Sequence, residues 1–254
     1  MKYRHKSSSS SAGFTIIELL IATLIFSLVL ILITTGVMQF TRQYYKGIIS
    51  SNTQNTARAI IDDVTRTIQF NTGNLYSLTS TTLTPNTDPS APALGYCIGE
   101  TKRYSFRINA QVTEGTADTN AHQSNHSLIT DGVSGCSTAT PALDVRNPNI
   151  LVNPDIQTGR ALLYPRELIG QRMRLSKFKI ETVPNMVGTY TVTVRVIYGD
   201  DDLLCTPSVP NSCVGRNTTP DPLSDASTLM CKSTIGSQFC AVSELSTTVK
   251  KRVD

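Results

Sequence analysis

The chain has 254 residues and a formal net charge of +4, from 23 lysines and arginines against 19 aspartates and glutamates. A charge this mild, without a dense basic block, does not favour nucleic acid as the main ligand. The chain is rich in serine, threonine, asparagine and proline, and it contains no tryptophan. This composition is more typical of an exported, loop-rich β domain than of a compact cytosolic enzyme.

The first patterned element is an apolar run at residues 19–40, which lies between Glu18 and Arg42 and contains no charge. An α-helix rises about 1.5 Å per residue, so about 20 apolar residues span a bilayer core about 30 Å thick. This run is long enough to cross a membrane. A secretory signal peptide does not fit, because its apolar region is about 7–15 residues long and small residues follow it. Here the small residues Ala12 and Gly13 precede the run.

Glu18 is the most informative residue of this segment. A charged side chain costs about 2.5–3.5 kcal/mol at the centre of a membrane helix and less at its edge. A carboxylate beside lipid is therefore expected to have a function and a partner. From the residues alone, the alternative is an ordinary membrane anchor in which the glutamate is incidental.

Residues 13–18 read Gly-Phe-Thr-Ile-Ile-Glu and a long apolar helix follows them. This arrangement resembles the type IV prepilin signature of type IV pilins and type II secretion pseudopilins. The resemblance implies that a prepilin peptidase cleaves after Gly13 and methylates the new amine of Phe14. It also implies that Glu18 pairs with the terminal amine of a neighbouring subunit during assembly. An α-amino group, with a pKa near 7.7–8.0, is cationic at neutral pH and would offset a carboxylate beside lipid.

The helix is predicted to continue beyond the membrane. Apolar residues recur at helical spacing after Arg42 and form one narrow stripe, with charged residues on the other side. Residues 71–73 are typical of a helix stop, so we predict one helix from about Ile16 to Phe70 that softens at Gly36 and Gly47. It would be transmembrane over about 16–40 and amphipathic over about 41–70. The stripe consists of Ala57, Ile60, Ile61, Val64 and Ile68.

The predicted domains are a leader at 1–13, the long helix at 14–70 and an exported β-rich globular domain at 71–254. Strands are predicted near 104–108, 173–183 with a bulge, 190–198 and 245–249, and a turn at 184–188. Residues 75–93 are predicted to be a surface connection, and residues 113–141 are polar, with Cys136 as the expected tether. An antiparallel sheet laid over the helix gives an α+β fold with disulfide-tethered loops, and this is also the pilin fold that the resemblance implies.

Six cysteines follow the membrane helix, an even number that indicates disulfides in an oxidising compartment. Six cysteines allow 15 pairings. The preferred pairing joins Cys97 to Cys136 and keeps the last four among themselves. Zinc is disfavoured because no C-x-x-C pair or suitably spaced histidine is present. The candidates are Cys97, Cys136, Cys205, Cys213, Cys231 and Cys240.

No motif for catalysis is found, and the chain is predicted not to be an enzyme. His122 and His126 have the spacing of a zinc protease, but residue 123 is Gln instead of the required general base, which predicts a solvated loop. No cofactor is expected, although the acidic turn at 200–202 is a weak candidate for calcium. A basic strip at 172–179 is interpreted as the solvent face of a strand. The turn contains Asp200, Asp201 and Asp202, and the strip contains Arg172, Arg174, Lys177 and Lys179.

The sequence predicts a minor type IV pilin that acts in pilus assembly or priming, adhesion or motility. Its expected partners are other pilin subunits, the prepilin peptidase, the pilus assembly platform and membrane lipid; nucleic acid is not expected. The precursor would span the cytoplasmic membrane once with its amino terminus inside, and the mature form would lie in a surface or periplasmic filament. The alternatives are a pseudopilin of a type II secretion system and a membrane-tethered adhesin or ligand-binding module.

Overall fold

A computed structural model describes residues 13–79, 94–113, 126–133, 135–138, 140–143, 145, 163–209, 212–214, 229–233 and 236–252. Contacts between residues divide the chain into two compact units, Met1–Tyr44 and Tyr45–Asp254. The described part of the first unit is helical after a short irregular start, and the second unit contains the rest of the helix and the strands.

One helix, α1, extends from Ile16 to Phe70 without a break at Gly36 or Gly47, which confirms the predicted extent of the helix. All of its side chains from residue 16 to 48 are exposed to the surroundings, although most of them are apolar. This helix is long and apolar enough to cross a membrane. Exposed apolar side chains at this density are stable only beside lipid or other apolar surfaces.

The later part of α1 has a buried stripe along one side. The spacing of three or four residues is that of one helix face, and all five predicted apolar positions belong to it. The amphipathic prediction is confirmed. The buried residues are Ile49, Thr53, Ala57, Ile60, Ile61, Val64, Thr67 and Ile68.

The strands pair antiparallel throughout the described residues and form three sheets. The first sheet follows chain order from β1 to β5, the second has the order β11-β7-β6, and the third has the order β10-β8-β9. The bounds are β1 Leu75–Thr79, β2 Leu94–Ile98, β3 Lys102–Phe106, β4 Leu128–Gly132, β5 Leu163–Glu167, β6 Met173–Thr182, β7 Thr189–Tyr198, β8 Leu204–Val209, β9 Ser212–Val214, β10 Met230–Cys231 and β11 Ala241–Lys250.

The second sheet contains the strands that the sequence predicts best. The inward residues of β7, Val192, Val194 and Val196, are fully buried against the stripe of α1 within one core cluster. The register of β6 on β7 shifts between Leu175 and Lys177, where the predicted bulge is found. Ile197, on the opposite face of β7, packs in a separate cluster of the disulfide-linked region. The end of β7 is therefore covered on both faces, whereas the second face is partly exposed at Thr191, Thr193 and Arg195.

The predicted α+β fold is confirmed: the later part of α1 packs on antiparallel strands, which form three sheets within the described residues. The prediction of a surface connection at 75–93 is wrong at β1, and β4 lies in the polar segment 113–141. Strand β4 contains Asp131, which looks like a loop residue but is buried. Its carboxylate accepts a hydrogen bond of 3.0 Å from Nε of Arg103 on the adjacent strand. A buried charge is tolerated when it is paired and hydrogen-bonded in this way.

Candidate functional site

The candidate site is the start of α1, where the predicted cleavage point lies just before the helix. Gly13, Phe14 and Thr15 belong to no regular element, and all three are exposed. A Cβ atom at Gly13 would meet none of the described residues within 4 Å, and the Phe14 side chain is 78% exposed. The described fold therefore does not itself require a glycine at residue 13.

Thr15 and Glu18 cap the first turn of α1 reciprocally. The backbone N–H and the hydroxyl of Thr15 donate to Oε2 of Glu18 at 2.9 and 2.8 Å. The backbone N–H of Glu18 donates to Oγ1 of Thr15 at 3.3 Å. This is a capping box, which satisfies amide groups that have no partner inside the helix.

The capping box also places the negative charge favourably. A carboxylate in the first turn of a helix interacts with the positive end of the helix dipole. Both bonds from Thr15 end on Oε2, and Oε1 of Glu18 accepts none from the described residues. The carboxylate is thus held in place by one oxygen while the other stays accessible.

A family model described as the prokaryotic N-terminal methylation motif matches residues 8–34. The match includes Gly13, Phe14 and Glu18 and the first part of α1. This match supports a type IV prepilin-like protein. No curated protein and no solved structure matches this prepilin-like chain. The motif spans about a tenth of the sequence, and together with the long apolar helix it supports anchoring in a membrane.

The part played by Thr15 is the feature of the prepilin-like start that sequence reasoning missed. The prediction assigned a role to Glu18 alone. The pattern Thr-x-x-Glu directly before an apolar run is nevertheless the sequence pattern of a capping box. The structure places Gly13, Phe14 and Glu18 within one short segment, as their spacing requires. Their roles in cleavage, methylation and subunit pairing stay predictions.

The acidic turn, the weak calcium candidate, is already neutralised by arginines. Asp200 forms an ion pair with Arg172 and accepts a hydrogen bond of 2.9 Å from Nε2 of Gln111. Asp201 accepts a hydrogen bond of 2.7 Å from Nη1 of Arg174. Arg172, and then Gln111, hold the pKa of Asp200 below its ordinary value. Among the described residues, no group of three acidic, histidine or cysteine side chains is placed to hold a metal. A calcium ion would have to displace a guanidinium here, and calcium binding stays a prediction.

The basic strip is not a plain solvent face. The side chain of Arg174 is 0% exposed and forms its ion pair with Asp201 from inside the fold. Lys177 lies 3.9 Å from Glu244, and Lys179 lies 2.9 Å from Glu181. The prediction is therefore wrong for Arg174. The acids beside these cations reduce the positive potential that a phosphate backbone would need.

His126 is buried, so the predicted solvated loop is wrong at this residue. Its Nδ1 lies 3.4 Å from Oε2 of Glu167, whose carboxylate also accepts the backbone N–H groups of Ser127 and Leu128 at 3.0 and 2.9 Å. This geometry gives Glu167 a structural role at the start of β4. His122 and Gln123 lie outside the described residues.

Two disulfides are described. Cys97 bonds to Cys136, which is the pair preferred from the sequence, and Cys231 bonds to Cys240. Cys205 is also disulfide-bonded, and the side chain of Cys213 lies outside the described residues. Disulfides persist in oxidising compartments, so these bonds agree with an exported β region.

Proposed function

We propose that this chain is a minor type IV pilin, inserted as a single-pass precursor, cleaved after Gly13 and assembled into a filament through α1. The observation that carries this proposal is the start of the helix. An exposed, non-helical Gly13–Phe14 peptide bond lies directly before a capped helix with a carboxylate in its first turn. A structural subunit needs no catalytic residues of its own.

Cleavage is the first step of this function. A peptidase must bind its substrate backbone in an open conformation, and the bond after Gly13 lies outside α1, whose hydrogen bonds would otherwise hold it. Hydrolysis leaves a new amine on Phe14, next to Thr15. That amine is cationic at neutral pH and is methylated by the same peptidase.

Pairing between subunits is the second step. In the single chain, the capping box holds Glu18 through Oε2. The accessible Oε1 then receives the amine of Phe14 from a neighbouring subunit. This ion pair offsets the cost of both charges in an apolar surrounding, where a lone charge is strongly unfavourable. The capping box orients the carboxylate before the partner arrives.

The size of the β region favours a minor or priming role over that of the bulk subunit. Roughly 180 residues follow the helix, in three described sheets with disulfide-bonded loops. A large head of this kind is better suited to the tip of a filament than to its close-packed shaft. In the filament, α1 would be covered by the helices of other subunits.

The cleavage step is tested by Gly13→Leu, with N-terminal mass analysis of protein produced in cells that contain a prepilin peptidase. Because a Cβ atom at residue 13 would meet none of the described residues within 4 Å, the variant should fold normally and remain at full length. Gly36→Leu is the matched control, since Gly36 also has open space around it, and it should yield mature protein that begins with N-methyl-Phe14. Efficient maturation of Gly13→Leu would refute the assignment of the cleavage point.

The pairing step is tested by Glu18→Gln. Glutamine can still close a capping box but has no charge, so a capping role would survive this change and a pairing role would not. We expect normal membrane insertion and loss of incorporation into sheared filaments. Normal incorporation would contradict the pairing role. If the mature wild-type protein also never enters a filament, the result would instead support the alternative of a membrane-tethered adhesin.

A further inference from the structure

An exposed aromatic pair lies at the beginning of the second unit. The ring centroids of Tyr45, on α1, and Phe239 are 6.0 Å apart, and the two side chains are 47% and 41% exposed. Phe239 is the last residue of a short 3-10 turn, and its backbone N–H donates a hydrogen bond of 2.9 Å to the carbonyl of Gly236. The next residue, Cys240, is bonded to Cys231. The ring of Phe239 is therefore presented from a closed, short loop.

The helix around Tyr45 carries positive charge only. Arg42 and Lys46 lie within one turn of Tyr45 and are exposed, and no acidic residue occurs in the sequence between Glu18 and Asp62. Ile48, one turn further along, is also exposed. Aromatic rings flanked by lysine and arginine are typical of the layer where a membrane helix leaves the lipid core.

The position of Tyr45 along the helix sets its depth. Phe40 ends the apolar run, and Tyr45 follows five residues later in the same continuous helix, which is about 7.5 Å of axial rise. Even a fully extended chain of this length would reach no more than about 18 Å. The headgroup layer on each side of a bilayer is roughly 5–8 Å thick. When α1 spans a membrane, Tyr45 lies in or directly beside the headgroup layer.

We infer that Tyr45 and Phe239 form a lipid contact in the membrane-anchored chain, in which the ring of Phe239 enters the headgroup layer of an anionic bilayer. This inference rests on the membrane insertion that the proposed function includes. Arg42 and Lys46, which flank Tyr45 in the sequence, bind lipid phosphate groups. The contact fixes the disulfide-closed loop at the membrane surface before assembly, and it is released when α1 leaves the bilayer.

The absence of tryptophan from the sequence makes a direct test available. The full chain carrying Phe239→Trp is reconstituted in vesicles of phosphatidylethanolamine and phosphatidylglycerol, and its emission is recorded with and without brominated lipid. We expect the tryptophan emission in vesicles to lie at shorter wavelength than the emission of the denatured protein without lipid. We also expect most of the fluorescence to be lost when the vesicles contain lipid with bromine atoms near the headgroups. Replacing both Arg42 and Lys46 by glutamine should weaken this quenching.

Two single-tryptophan variants serve as controls. Phe26→Trp lies inside the apolar run and reports insertion, and it should be quenched by bromine atoms deep in the bilayer. Val187→Trp replaces a side chain that is 97% exposed in the turn between β6 and β7, and it should stay unquenched. Quenching of Val187→Trp equal to that of Phe239→Trp would overturn the inference, because the contact would then not be specific.

The outcomes separate this inference from the proposal on which it rests. If Phe26→Trp is quenched and Phe239→Trp is not, the lipid contact is refuted while membrane insertion stands. If neither is quenched, insertion itself fails. If the emission shift of Phe239→Trp appears only at high protein-to-lipid ratio, a second copy of the chain covers the aromatic pair, which also overturns the inference.

Discussion

Tyr104 on β3 donates a hydrogen bond of 2.8 Å to Oδ2 of Asp63 on α1, and its hydroxyl lies 2.9 Å from Oγ1 of Thr67. Burial, and then the Asp63 carboxylate, raise the pKa of Tyr104, so the phenol keeps its proton and can donate. Lys102 and Arg166 each approach the Asp63 carboxylate to 3.9 Å. This polar contact joins the helix to the first sheet at the edge of an otherwise apolar core.

We predict that Tyr104→Phe lowers the free energy of unfolding by about 1–3 kcal/mol, because the change removes a buried donor and leaves Asp63 partly unsatisfied. Urea unfolding of the detergent-solubilised protein, followed by circular dichroism, measures the loss. Tyr76→Phe is a matched control, since the Tyr76 hydroxyl has no hydrogen-bond partner among the described residues. Equal stability of Tyr104→Phe and the wild type would show that the contact contributes little.

We predict that the two described disulfides differ in their contribution to stability. Constraint of the unfolded chain grows with loop length, and the cysteines of Cys97–Cys136 are 39 residues apart while those of Cys231–Cys240 are 9 apart. The chain-entropy relation gives losses of about 4 and about 3 kcal/mol for removal of each by double serine substitution. Comparison of urea midpoints tests the order. A larger loss at the shorter loop would indicate that native packing, and not loop length, decides.

We predict a pH-dependent contribution from Asp200. Its pKa is lowered in the folded protein, chiefly by Arg172, so Asp200 stabilises the fold above its unfolded pKa of about 3.9 and loses this effect as pH falls through the folded value. Asp200→Asn should therefore be less stable than the wild type at neutral pH, by less than about 1 kcal/mol because the pair is exposed. The difference should vanish in acid. Asp202→Asn, in the same turn, is the control, and a constant difference across pH would contradict the assignment.

We predict that Thr15→Val frays the first turn of α1. The change removes the hydroxyl that both accepts and donates in the capping box, at a cost of about 1 kcal/mol. Hydrogen exchange of the amides of residues 16–19 in detergent micelles should become faster. Thr15→Ser should restore protection, and Glu18→Gln should retain most of it because glutamine can also complete the box. Unchanged exchange in Thr15→Val would mean that the turn does not depend on this cap.

The helix and the central strand could be predicted from the sequence because their patterns are long. The 55 residues of α1 carry an unbroken apolar run followed by a stripe of helical period, and β7 alternates tyrosine or valine with polar residues from Tyr190 to Val196. The bulge in β6 could also be predicted, because the alternation of apolar and polar residues shifts by one position after Leu175. In each case the pattern follows from burial along one element, so no distant partner needs to be known.

The failures share a different cause. Arg174, His126 and Asp131 are buried only because a partner distant in sequence pairs with them, at Asp201, Glu167 and Arg103. A polar residue of this kind looks like part of a surface loop until its partner is known. Strands β1 and β4, which read Leu-Tyr-Ser-Leu-Thr and Leu-Ile-Thr-Asp-Gly, likewise show no regular alternation of apolar and polar residues. At the candidate site, the spacing of Gly13 and Glu18 was visible, whereas the hydrogen bonds of Thr15 required coordinates.

The turn between β6 and β7 has a practical consequence. Its backbone is closed by hydrogen bonds from Val183 N–H to the Thr189 carbonyl and from Met186 N–H to the Val183 carbonyl, and Val187 projects outward. A short affinity epitope spliced between Met186 and Val187 would interrupt the turn bond of 3.1 Å from Thr189 N–H to the Met186 carbonyl, but the β6–β7 pairs that begin at Thr182 and Tyr190 would remain. Such a tag would allow antibody labelling of individual molecules under the microscope, far along the sequence from the amino terminus.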